Sequence, residues 1–121
     1  MLVLGLAGLG YFAYSPAGGH LEKARELAFR RDFRGAMGEY EAAIVELGRD
    51  ESAAAREVRA VALRSAADLS YLHLTDYVKA ARLYRDLSER YPDRPETFQA
   101  RANLADILRD HFHDSRGALA Q

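Results

Sequence analysis

Asp32-Phe33-Arg34-Gly35-Ala36, Asp76-Tyr77-Val78-Lys79-Ala80 and Asp114-Ser115-Arg116-Gly117-Ala118 are near-copies of one phrase. Each begins with an aspartate, usually followed by an aromatic, and carries an alanine four residues after the aspartate. The aspartates stand 44 and then 38 residues apart. Repetition at that interval marks a stack of helical hairpins, because one hairpin cannot bury its apolar face alone and must lay it against the next. Aspartate suits the start of a helix, where its carboxylate accepts a free backbone amide. Alanine one turn further on lets the neighbouring helix approach closely.

The sequence between these phrases has helical spacing. A first helix is expected over 20–31, with Leu21, Ala24, Leu27 and Ala28 on one face. A second, over 33–47, places Phe33, Ala36, Tyr40, Ala43, Ile44 and Leu47 together and stops at Gly48. Ser52 is placed to cap a long third helix over 53–74, whose larger apolar positions are Val58, Val61, Leu69 and Leu72. The fourth aligns Tyr77, Ala80, Ala81, Tyr84, Leu87 and Tyr91. Asp93 and Glu96 have the spacing of a capping box before a fifth helix over 95–112, with Phe98, Ala102, Ala105 and Leu108 as its inner face. The fold class expected is all-α, antiparallel helical hairpins stacked as a solenoid.

Composition agrees with helix and narrows the function. The chain has 121 residues, three prolines, no cysteine and a formal net charge of −1. One domain's worth of core fits that length. Absent cysteine removes disulfides, thiolate metal sites and a cysteine nucleophile. Near-neutrality supplies no global field to draw in nucleic acid, so no nucleic-acid partner is expected.

Residues 1–15 are a separate case. Leu2 to Tyr14 carries no charge. Thirteen helical residues reach about 20 Å against a hydrocarbon core of roughly 30 Å. Tyr11, Phe12 and Tyr14 then resemble an interfacial aromatic belt. The favoured expectation is part of a membrane anchor, making the membrane a partner through this segment. A signal-peptide core without its basic leader and an apolar helix covering the end of the stack are the alternatives. Residues 16–19 are read as a linker and 20–121 as the repeats, the last one incomplete.

The hairpins resemble the tetratricopeptide repeat, a helix–turn–helix unit of about 34 residues. Ala67 and Tyr71 match its first-helix packing positions; Asp76-Tyr77, Ala80, Tyr84 and Pro92 match its turn, second helix and terminal proline. Ala24, Leu27, Asp32-Phe33, Ala36, Tyr40 and Ala43 form a first unit, with Gly48 where proline is usual. Leu104, Ala105, Leu108 and Ala118 form a third if one extra residue is allowed before Asp114. The resemblance implies a protein or peptide partner lying against the first helix of each hairpin, with Glu22, Arg25, Ser65, Leu69, His73, Asn103 and Asp106 as groove residues. Long hairpins of this kind are similar to tetratricopeptide proteins of the bacterial envelope, which implies a periplasmic location, with the cytoplasm as the alternative.

No catalytic grouping stands out along the chain. His111 and His113 are two apart, so on a helix they point to opposite sides and could not share an ion. Gly5, Gly8, Gly10, Gly35 and Gly38 follow no strand and precede no phosphate-anchoring lysine. Ser65, Ser70 and Ser88 lack a His–acid pair. Arg30, Arg31 and Arg34 are offset by Asp32, Glu39 and Glu41. No enzyme activity, metal or cofactor is therefore expected. The expected function is a non-catalytic interaction scaffold tethered to a membrane in an envelope assembly. The alternative is a regulatory or dimerising helical module of a larger protein with a catalytic domain beyond Gln121, with self-association a further option.

Overall fold

The computed structural model describes residues 15–112. Five helices occur among them: α1 (Pro16–Phe29), α2 (Phe33–Leu47), α3 (Ala53–Leu72), α4 (Tyr77–Arg90) and α5 (Pro95–Asp110), and no strand. The all-α class is therefore observed, and its turns repeat. Asp32 accepts the amide of Gly35 at 3.0 Å, and Asp76 accepts that of Lys79 at 3.1 Å. Ser52 starts α3 in the same way, accepting the amide of Ala55 at 3.2 Å. Immediately before each aspartate stands a residue in the left-handed region, Arg31 at φ 66° and Thr75 at φ 51°. At the first turn Asp32 N donates to Leu27 O and Arg31 N to Ala28 O, the paired bonds of a Schellman ending. One residue with positive φ thus closes a helix, and the next opens its partner.

The chain divides into two compact units, Met1–Ala62 and Leu63–Gln121. In the first, α1 packs against α2. Leu21, Ala24, Ala36, Met37, Tyr40 and Ala43 form its inner faces, and the three alanines are fully covered. Gly48, at φ 54°, ends α2 in a conformation that a Cβ would strain. The α2–α3 turn is then anchored from within by Arg59. This guanidinium is 1% exposed, and its Nη2 donates to the carbonyls of Gly48 at 3.0 Å and Asp50 at 2.9 Å. On the outer side of the first turn the Arg31 guanidinium sits 5.1 Å over the Phe33 ring.

In the second unit α4 packs on α5, with Ala80, Ala81, Tyr84, Leu87 and Tyr91 facing Thr97, Ala100, Leu104, Ile107 and Leu108 inside. The end of α3 buries Leu63, Ala66, Ala67, Leu69 and Ser70 and meets α4 through Asp68 and Tyr71.

Several expectations need correction. The stretch 16–19, expected as a linker, is the first turn of α1: Pro16 suits a first helical position and Ser15 accepts the Gly18 amide at 3.0 Å. The capping box of Asp93 and Glu96 does not form. Arg94 is the N-cap without a side-chain bond, and Thr97 Oγ1 donates instead to Tyr91 O. That buried bond turns α5 so that Thr97 faces inward, and Phe98, Ala102 and Ala105 lie exposed rather than in the core. Leu72, expected inside, is 64% exposed at the end of α3. The membrane partner is overturned as well: among the described residues no helix is long and apolar enough to cross a membrane. The apolar segment behind that expectation, Leu2 to Tyr14, lies outside the described residues, as do His113, Asp114 and Ala118.

Two substitutions probe this frame. Arg59→Ala removes a buried donor from two turn carbonyls and is expected to cost about 3 kcal/mol in urea unfolding. Thr75→Gly relieves a β-branched residue of positive φ and is expected to raise stability by about 1 kcal/mol, read as a higher melting temperature.

Candidate functional site

The second unit holds the densest side-chain chemistry. Tyr84, fully buried on α4, reaches both neighbouring helices. Its hydroxyl donates to Asp68 Oδ1 on α3 and accepts from Asn103 Nδ2 on α5 at 3.0 Å. Asp68 Oδ2 is held in turn by Arg64 Nε at 3.0 Å. Burial, then the hydrogen bond to Asp68 and the charge of that carboxylate, push the Tyr84 phenol well above the usual tyrosine range. It keeps its proton at neutral pH and acts as a tie between three helices, with no free proton to exchange.

Beside it lies an aromatic cluster. The Tyr77 and His111 rings stack at 3.7 Å, and Tyr71 meets Tyr77 and His111 edge-on at 6.0 and 6.2 Å. Tyr71 also meets Tyr84 edge-on at 6.4 Å. Burial raises the Tyr71 phenol, and the negative charges of Asp106 and Asp110 raise it further while Arg109 opposes them. Arg109 bridges those acids, 2.7 Å from Asp106 and 2.9 Å from Asp110. These bonds hold its guanidinium charged ever more firmly. This corner joins the ends of α3 and α5 to the start of α4, with an aromatic floor and a charged margin.

The expected groove residues fall differently. Glu22 and Arg25 are exposed on α1 in the first unit. In the second, His73 is exposed, Ser65 and Asp106 are half-buried, and Leu69 is 6% exposed, inside the core rather than on a binding surface. Asn103 is half-buried and engaged with Tyr84 and with Gln99. The structure therefore gathers Asn103 with Tyr84 and Asp68, and Asp106 with Tyr71 and Arg109. His111, read in the sequence beside His113, belongs to the aromatic cluster. Among the described residues no group of three or more His, Asp or Glu side chains is arranged to hold a metal ion.

Sequence reasoning missed Asp68 and Arg59. Asp68 stands four residues after Arg64, a spacing that already permits an ion pair on one helix face. The only signal for Arg59 was its position among apolar residues of α3.

Because the Tyr84 pKa is raised on folding, its contribution to stability is intact below about pH 10, the unfolded value, and is lost as pH climbs through the folded value. Unfolding free energy is expected to fall above that pH by up to about 1.4 kcal/mol per pH unit for this group. Tyr84→Phe should be about 1–2 kcal/mol less stable at pH 7 and lose less on alkaline titration, measured by urea unfolding from pH 7 to 11.

No protein-family model, curated protein or solved structure matches the chain.

Proposed function

We propose that this chain is a non-catalytic protein-interaction module built from tetratricopeptide-like hairpins. The observation that carries the reading is the recurrence of one turn. Asp32 with Ala36 and Asp76 with Ala80 occupy equivalent places at two hairpin bends, with both alanines fully buried. Side chains that could have done chemistry in the second unit are instead committed to holding helices together, as Tyr84 with Asp68 illustrates. What each unit offers to a partner is an exposed helix surface of mixed charge. In the first this includes Glu22 and Arg25, and in the second His73 and the edge at Asp106. Such a surface suits an extended peptide or a partner helix held by shape and scattered polar bonds. A place in an assembly of the bacterial envelope belongs to this reading through the resemblance alone.

Panning a random peptide library against the immobilised full chain tests it. One consensus peptide is expected to be enriched, and either Arg25→Glu or His73→Ala should weaken its binding about tenfold, equivalent to about 1.4 kcal/mol, at unchanged melting temperature. Failure to enrich any sequence, or enrichment indifferent to both substitutions, would sink the reading.

A further inference from the structure

Helix α5 turns Thr97, Ala100, Leu104, Ile107 and Leu108 inward, which leaves the stripe beside them to solvent. Along that outer stripe Phe98, Ala102, Ala105 and Arg109 succeed one another at intervals of four, three and four residues. This is the alternation of a two-stranded coiled-coil seam. Phe98 is 70% exposed, a large apolar ring with solvent around it. Ala102 and Ala105, both exposed, place no bulk in the way of a second helix.

The flanks of the seam carry opposite charges. Arg101 directly precedes Ala102, and Asp106 directly follows Ala105, so they edge the seam on its two sides. When two such helices pair in parallel, the side chain just before one seam residue faces the side chain five positions further along the other helix. Arg101 then meets Asp106 of the second copy, and two-fold symmetry makes the contact twice. In an antiparallel pair each flank would meet its own kind, and the attraction would be lost. Arg109 falls within the seam, but Asp106 and Asp110 already bracket its charge. A single polar seam residue of this sort fixes alignment at some expense of affinity.

We propose that the outer face of α5 is a self-association surface on which a second copy of this chain packs in parallel, with Arg101 paired to Asp106 across the interface. The inference rests on reading the chain as an interaction module, and it names one partner: the chain itself.

Light scattering on the full chain should show the mass rising from monomer toward dimer over a range of about 10 μM to 1 mM, as expected for a small contact. Arg101→Glu alone and Asp106→Lys alone should each stay monomeric, because each sets like charges against each other twice. An equimolar mixture should recover the dimer mass, since both contacts are then between opposite charges. Residues five apart on one helix do not face each other, so repair within a single chain cannot mimic this result. A wild-type chain that stays monomeric throughout, or a mixture no heavier than its parts, overturns the proposal. In that case the face belongs to a different protein or to another segment of the chain. A library consensus peptide that is captured while the wild-type mass stays monomeric would leave the interaction reading standing while the dimer falls.

Discussion

At each hairpin bend the chain must reverse within a few residues and begin a new helix whose first amides have no partners. Asp32 and Asp76 meet that constraint by giving a carboxylate oxygen to the amide three residues on. A cap of this kind contributes about 1 kcal/mol. The residue that makes each reversal, Arg31 or Thr75, occupies left-handed backbone at a cost of similar size. Bond and strain nearly cancel, so the bend is held by burial in the helical turn beyond it. Ala36 and Ala80, four residues after the caps, are fully covered by neighbouring helices. Local chemistry sets where the chain turns, and burial of small side chains makes the turn worth keeping.

A core with so many alanines leaves few places for large side chains, and the chain fills some of them with polar ones. Tyr84 crosses the second unit and ends on Asp68 and Asn103; Arg59 reaches up to the turn after α2. Buried polar groups of this kind add little net stability when satisfied, yet are costly to leave unpaired. They therefore select one arrangement of the helices over others of similar burial.

Much of this was legible residue by residue. Asp32, Ser52 and Asp76 cap helices as their spacing implied, and α2 has the bounds its periodicity suggested. Tyr84, Leu87 and Tyr91 lie inside, as the fourth helix's stripe required. The fifth helix was harder. Its bulky Phe98 and the alanines at 102 and 105 form a stripe as regular as the buried one beside it. Periodicity alone cannot say which of two adjacent stripes meets the core. Thr97 decided it, through a hydrogen bond to Tyr91 O that no pattern of apolar residues encodes. Leu69 was misplaced onto a groove for a related reason, since α3 is covered around most of its circumference near its middle.

By itself the sequence determined the class, the number of helical segments in the described region and the position of each bend, because these follow from capping and periodicity within a dozen residues. Only the tertiary structure decided which face of α5 is covered, which carboxylate accepts the Tyr84 hydrogen bond, and where Arg59 hides its charge. Those choices depend on side chains meeting groups 6 to 19 residues away in the chain. Burial and hydrogen bonding act on that proximity, while a helical repeat constrains only neighbours along its own axis.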